Sequence, residues 1–228
     1  DRLILGNTDI NPDKYAKGDL NTDDWSALHQ SNDKLYVHKI HIEDNPAMTI
    51  DKIKAKATNY KHKNKCDVII IDYLQLIDMR THNKNYNKTN EVGELSRKAK
   101  LLAKQLKVPV ILLSQLNRDV EKRPDKRPYL SDLRDSGNIE QDADIIMFCL
   151  RPSYYDITKD SDGVDLPENF FELIIAKNRG GITGSVKLLH TVGLTNFHAY
   201  EQNRVFEDYK ENYVSNNVVT CDPLDEPF

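Results

Sequence analysis

The chain has 228 residues, 39% of them hydrophobic and 30% charged, and a formal net charge of −4. That composition buries a core in one domain, or in one domain with a tail, and it excludes a polybasic chain that binds nucleic acid over its whole surface. The apolar runs are too short to cross a bilayer, and the opening Asp1-Arg2-Leu3-Ile4 does not read as a signal peptide.

Residues 1–34 read as polar helix, with starts at Asn11-Pro12-Asp13 and at Asn21-Thr22-Asp23-Asp24. Leu35–Ile42 alternates apolar and polar residues, which predicts a half-buried or edge strand. Thr49 caps a lysine-rich helix to about residue 63, with Ile50, Ile53 and Ala57 on one face. Its lysines read as a solvated face, with nucleic-acid contact as the alternative. Asp67–Asp72 predicts a fully buried strand. Residues 78–90 are polar and patternless, a loop. Thr89 or Asn90 then caps a helix carrying Val92, Leu95, Ala99, Leu102 and Leu106. Val108–Leu113 is a second continuous apolar strand, so strand, helix and strand make a βαβ unit with a parallel sheet. Residues 117–141 are polar and 145–150 a third buried strand. Residues 151–169 are loop. Strands follow at 170–176, 184–189 and 195–200, the first two joined across Lys177-Asn178-Arg179-Gly180-Gly181, where the glycines supply positive φ. From Glu201 the chain is acidic and polar, a poorly packed tail.

Several residues carry possible chemistry. Asp72 ends a buried strand, where an open parallel sheet places its ligands, and can hold a hydrated magnesium ion; alternatively it caps the next turn. Gln115 ends the next strand, where an amide can donate to a phosphate oxygen or orient water; alternatively it lies in solvent. Arg127–Gly137 combines cations, hydroxyls and a glycine, a composition that can hold a single-stranded backbone or form an ordinary surface loop. Lys177 and Arg179 flank a tight turn and can reach a neighbour's phosphates, or serve solubility alone. The seven histidines show no catalytic or metal pattern. Of the three cysteines, Cys66 and Cys149 sit beside apolar strands, where a thiol packs, and Cys221 lies apart. That pattern fits a reducing cytoplasm.

Four stretches occur in order: DVIIIDYLQL at 67–76, VPVILLSQLNR at 108–118, RPDKRPYLSDLRDSGNIEQDAD at 123–144 and AKNRGG at 176–181. Together they resemble the RecA-like C-terminal motor domain of DnaB-type replicative DNA helicases over residues 1–200. The resemblance implies an α/β, P-loop NTPase fold: a mostly parallel sheet flanked by helices, with late antiparallel strands. It implies that Asp72 is the Walker B acid organising Mg²⁺, and that Gln115 senses the γ-phosphate of ATP. Arg134, Asp135 and Gly137 would grip single-stranded DNA in a channel, and Lys177 and Arg179 would enter the adjacent subunit's ATP site. On this reading three parallel strands bring Asp72, Gln115 and the basic turn to one common rim where nucleotide docks. It implies a hexameric ring that hydrolyses ATP and translocates 5′ to 3′, with a primase and a helicase loader as partners.

Two departures follow from the same resemblance. Asp135 stands where the family usually has Glu. The phosphate-binding G-x-x-x-x-G-K-[ST] loop occurs nowhere in these residues. That loop, its strand and the water-activating glutamate lie, in the family, upstream of the stretch that residues 1–20 resemble. The chain alone is therefore expected to have negligible ATPase activity, and a sheet lacking that strand to expose unpaired edges. Two other readings stand beside this one: another RecA-like recombination or repair ATPase, and a non-catalytic interaction module that keeps the fold.

Overall fold

Helix starts fall where capping side chains sit. The structure, a computed structural model, describes residues 2–77 and 88–200. After one turn, α1 (Arg2–Leu5), Asn11 opens α2 (Pro12–Lys17) by accepting from the Asp13 amide at 2.8 Å. Asn21 opens α3 (Thr22–Val37) with a reciprocal capping box: the Asp24 amide donates to Asn21 at 2.8 Å, and the Asn21 amide to Asp24 at 2.9 Å. Leu5, Ile10 and Leu28 bury together, and the Ser31 hydroxyl donates to the Ile4 carbonyl at 2.7 Å.

The strand expected at 35–42 does not form. α3 continues to Val37, and residues 38–49 carry neither helix nor strand. Alternation specifies a strand only beside a sheet edge that can accept it. No described strand pairs with these residues; His41 instead stacks on Tyr60, ring centroids 4.3 Å apart, Glu43 pairs with Lys56, and Val37 and Ile42 are about four-fifths exposed, at 79% and 81%.

The βαβ unit does form. Thr49 caps α4 (Ile50–His62), accepting from the Lys52 amide at 3.3 Å. Then come β1 (Ile69–Ile71), α5 (Lys88–Leu106) and β2 (Val110–Leu112), with β1 and β2 parallel in the register Ile69–Val110, Ile70–Ile111, Ile71–Leu112. Thr89 and Asn90, expected at the start of this helix, lie within its described span, Lys88–Leu106. The strands are shorter than expected and only one face is covered: Ile71 is 7% exposed, Ile70 63% and Ile111 48%. Successive side chains point to opposite faces, so a strand apolar on both needs two packed layers. The described residues supply one.

After α6 (Gly137–Asp142), β3 (Ile145–Leu150) pairs antiparallel with β4 (Phe170–Asn178), followed by β5 (Gly184–His190) and β6 (Phe197–Ala199) in the order β3-β4-β5-β6. β3 thus belongs to the antiparallel sheet, not to a set of three hydrogen-bonded parallel strands. Its burial alternates, so Cys149, expected to pack, lies on the exposed face. One core nonetheless joins both sheets: Ile71 and Leu74 bury with Leu95, Leu133, Ile139, Ile146, Phe148 and Ile174. Among the described strands β1, β2, β3 and β6 each leave one edge unpaired.

The β4–β5 turn is built otherwise than expected. Neither Gly180 nor Gly181 has positive φ. The Asn178 side chain makes the turn instead, accepting from the Gly180 amide at 3.1 Å and donating to the Ile182 carbonyl at 3.2 Å. No helix among the described residues is long and apolar enough to cross a membrane. The acidic tail at 201–228 and positions 78–87 of the expected loop lie outside the described residues.

Candidate functional site

Parallel pairing carries the ends of β1 and β2 to one rim. The ladder continues past both strands: the Leu113 amide donates to the Ile71 carbonyl at 3.0 Å, and the Leu74 amide to the Leu113 carbonyl at 2.9 Å. Asp72 therefore stands beside Leu113, and Gln115 leaves the same edge two residues on. Asp72 is exposed, and the 3₁₀ turn Leu74–Leu76 that follows it has no side-chain cap. The capping alternative for Asp72 is not taken.

Gln75 was not singled out by the sequence, yet it ties the two strand ends together. Its side-chain amide donates to Ser114 Oγ at 3.1 Å and to the Gln115 carbonyl at 3.5 Å, and it accepts from the Gln115 amide at 3.3 Å. The signal was a lone polar residue within Leu74-Gln75-Leu76, on the turn leaving the rim. With its backbone held, Gln115 has its own side chain exposed, beside an open depression lined also by Asn117, Arg118 and Tyr155.

A magnesium ion keeps several waters and takes one or two carboxylates plus phosphate oxygens, not a cage of acids. Asp72 fits one such position, through water. The described residues hold no cluster of three or more His, Cys, Asp or Glu that would bind a metal by themselves.

Beyond Gln115 the chain is braced by charge. The Asn117 amide donates to the Asp132 carbonyl at 3.1 Å. The Asp132 carboxylate, on a residue 5% exposed, accepts from Arg123 Nη1 at 2.9 Å, from Arg123 Nη2 and from the Tyr129 amide at 2.7 Å. Arg123 also lies over the Tyr129 ring, 4.9 Å from its centroid. Arg127 forks onto Glu172 of β4 at 2.7 and 2.9 Å. Burial pushes both carboxyls up, but Arg123 holds Asp132, and Arg127 with Ser185 holds Glu172, below the usual carboxylate range. This frame supports the 3₁₀ stretch Leu130–Ser136, kinked at Leu133, which runs into α6. Arg134, Asp135 and Gly137 fall at that junction.

Lys177 and Arg179 do not share the rim of Asp72 and Gln115. Lys177 lies within β4, and its ammonium donates to the Glu140 carbonyl. Arg179 donates to the Gln141 carbonyl and to Asp144 Oδ1, the latter at 3.2 Å. Both cations thus lie at the carboxyl end of α6. The course of α6 explains the separation. A Cβ on Gly93 would meet Asn138, while Lys100, further along α5, pairs with Asp144. α6 therefore descends along α5 toward Leu102 and Leu106, which pack with Cys66 and Ile69 at the start of β1. The expectation that one rim gathers all these side chains holds for Asp72 and Gln115 and fails for the cation pair.

The model of the DnaB-like helicase C terminal domain family matches residues 1–199. The chain is 44% identical to the replicative DNA helicase DnaB of Geobacillus stearothermophilus and 43% identical to the replicative DNA helicase DnaC of Bacillus subtilis (strain 168), each over 187 residues that cover 82% of this chain and 40% of the relative. A solved DnaB-like replicative helicase, described with its interactions with primase, matches with a TM-score of 0.76 at 40% identity, covering 86% of this chain and 46% of that one. The chain thus spans about two fifths of the length of the curated relatives it matches. The fold is the expected α/β, RecA-like one. The chain belongs to the DnaB-like helicase C-terminal domain family.

Proposed function

We propose that this chain is motor-domain sequence of a replicative DNA helicase, which couples ATP hydrolysis to 5′-to-3′ movement along single-stranded DNA in the cytoplasm. The observation that carries the proposal is the pairing of Asp72 and Gln115 at one carboxyl rim, joined through Asn117 and Asp132 to the 130–142 segment. Asp72 would hold a hydrated Mg²⁺ against the phosphates of ATP, which supply the bond that is broken. Gln115 would meet the γ-phosphate with its free amide and pass its position along Asn117 to Asp132. Arg134, Asp135 and Gly137 would contact the DNA backbone. Arg134 adds charge there, and Gly137 lets main-chain amides approach phosphate.

Lys177 and Arg179 would act on a neighbouring subunit's nucleotide, which explains why they stand away from this chain's own rim. That role requires a ring, taken to be hexameric, with a primase and a loader as further partners. The phosphate cradle is absent from these residues, and backbone amides with a lysine are what hold β- and γ-phosphates. The chain alone is therefore expected to turn over no measurable ATP.

The test is unwinding of a fork with a free 5′ tail by the full-length protein. ATP and Mg²⁺ should both be required, and Asp72→Ala should lower turnover by about 10²–10³-fold, the usual scale for removing one transition-state stabiliser. Magnesium-dependent turnover by the 228-residue chain itself, lost in Asp72→Ala, would overturn the expected inactivity of the chain alone, while a full-length protein that unwinds no such fork would overturn the assignment.

A further inference from the structure

Strand β4 grips the DNA-facing segment at two places. Near its start, Glu172 holds Arg127 and through it the residues before the 3₁₀ stretch. At its end, Lys177 and Arg179 hold the carboxyl end of α6: Lys177 donates to the Glu140 carbonyl, Arg179 to the Gln141 carbonyl and Asp144 Oδ1, and the Arg179 backbone amide to the Asp144 carbonyl at 2.9 Å. The last carbonyls of a helix lack intrahelical donors, and positive charge is favoured beside them. Asp144 is held from its other side by Lys100 of α5. Lys100 first, then Arg179, keeps its carboxyl below the usual range.

The Arg179 side chain is 50% exposed, so this contact is made at the surface and its guanidinium has room to leave. Its fork of donors is planar and fixed. Turned onto Gln141 and Asp144, it cannot at the same time face a phosphate across a subunit interface.

We propose that Asp144 is a positioning residue: with the carboxyl end of α6 it holds Lys177 and Arg179 docked within their own subunit, and their departure to a neighbour's phosphates uncaps α6. The inference rests on the helicase reading for what the cations do once released. α6 is short, so one end cap is a large share of what keeps it wound. Engagement of the cations in trans therefore loosens the junction that carries Arg134, Asp135 and Gly137. By linkage, DNA that binds the loosened junction more tightly than the docked one favours engagement to the same degree. One pair of cations thereby connects the nucleotide of one subunit to the DNA grip of the next.

The experiment uses the full-length protein with Asp144→Asn. Lys100→Met serves as the companion variant, because it removes the other partner of Asp144 and leaves Arg179 its contacts. Turnover is measured with and without single-stranded DNA, and amide exchange at Ala143 and Arg179 is followed without nucleotide. Asp144→Asn should raise DNA-free turnover, lower the ratio of DNA-stimulated to basal turnover by about fivefold, a modest coupling, and speed exchange at both amides. Lys100→Met should keep that ratio near the parent value. The proposal fails if Asp144→Asn leaves ratio and exchange unchanged. It also fails if both variants change the ratio equally and in step with a lowered melting temperature, which is a purely structural effect. A parent protein without DNA-stimulated turnover would sink the helicase reading, while unchanged amide exchange would sink the docking itself.

Discussion

The Asp72–Gln115 rim and the 117–142 segment are held by opposite means. At the rim the bonds are neutral: a parallel ladder, then one amide, Gln75, bridging the strand ends, with both functional side chains exposed. In the segment the bonds are ionic and buried: Asp132 and Glu172, at 5% and 8% exposure, each receive an arginine fork. A group that must meet a phosphate or a hydrated cation has to stay free of protein partners. A buried carboxylate, by contrast, stays charged only while its arginine partner is held against it, and that holds the segment's shape. The two regions share one buried core, in which Ile71 and Leu74 pack with Leu133 and Ile139, and the segment's first residue is tied down by the Asn117 amide donating to the Asp132 carbonyl at 3.1 Å.

The largest expected effect lies in the segment. Glu172→Ala leaves the Arg127 guanidinium facing a pocket it cannot pair in. Breaking a fully buried pair costs about 3–5 kcal/mol. The Arg127 side chain is 35% exposed, so water recovers part of that loss, and about 2 kcal/mol is expected in denaturant unfolding. Replacing Glu172 and Arg127 together by apolar residues of similar volume should recover most of it. If the double change is as damaging as the single one, packing rather than charge holds the segment, and the contrast with the rim disappears.

Acid should separate the regions as well. Glu172 and Asp132 have folded-state affinities for protons lower than in the unfolded chain. Their stabilisation is therefore complete above the ordinary carboxylate range, roughly pH 4, and is lost as pH falls through the lowered folded values. Unfolding free energy should be flat near neutrality and fall in acid, and Glu172→Gln should flatten that fall. A fall of equal steepness in the variant would place the acid sensitivity elsewhere.

What the sequence made legible divides along the same line. Caps at Asn11, Asn21 and Thr49 were readable because each is a local bond between neighbouring residues. The βαβ unit was readable from its period, and with it the shared rim of Asp72 and Gln115. The strand at 35–42 misled because alternation is silent about whether an edge is available. Burial of β1 and β3 was overestimated because an apolar residue reports what it would bury against, not whether that layer is present. The placing of Lys177 and Arg179 depended on the path of α6 along α5, fixed by Gly93 against Asn138, a contact between residues far apart in the chain. Gln75 and Glu172 were missed for a related reason: each is an isolated polar residue whose partner lies on another element.

A smaller effect is expected at the rim. Gln75→Ala removes bonds to Ser114 and to the Gln115 backbone, but water reaches all of these groups, so the loss should stay near or below about 1 kcal/mol. The change should show instead as faster amide exchange at Gln115 and, in the full-length protein, as a weaker response of turnover to DNA. A loss as large as that of Glu172→Ala would mean that the rim is no less rigidly built than the segment.

The smallest net effect, and the finest probe of the contrast, is Gly93→Ala. Alanine in a helix interior is favoured over glycine by about 1 kcal/mol. A Cβ at this position, however, would stand 2.1 Å from Asn138 Nδ2, 2.9 Å from its Cγ and 3.1 Å from its Cβ. The amide can swing into solvent; the Cβ moves only if α6 moves. If the frame of Arg123, Arg127 and Lys100 holds α6 firmly, the gain and the clash should nearly cancel, leaving the variant within about 1 kcal/mol of the parent. Adding Asn138→Ala removes the nearest two atoms and should lift stability above the parent. A gain of the full helix-propensity value from Gly93→Ala alone would show that α6 yields freely, and a yielding α6 could not transmit the state of its cations to the junction proposed to meet DNA.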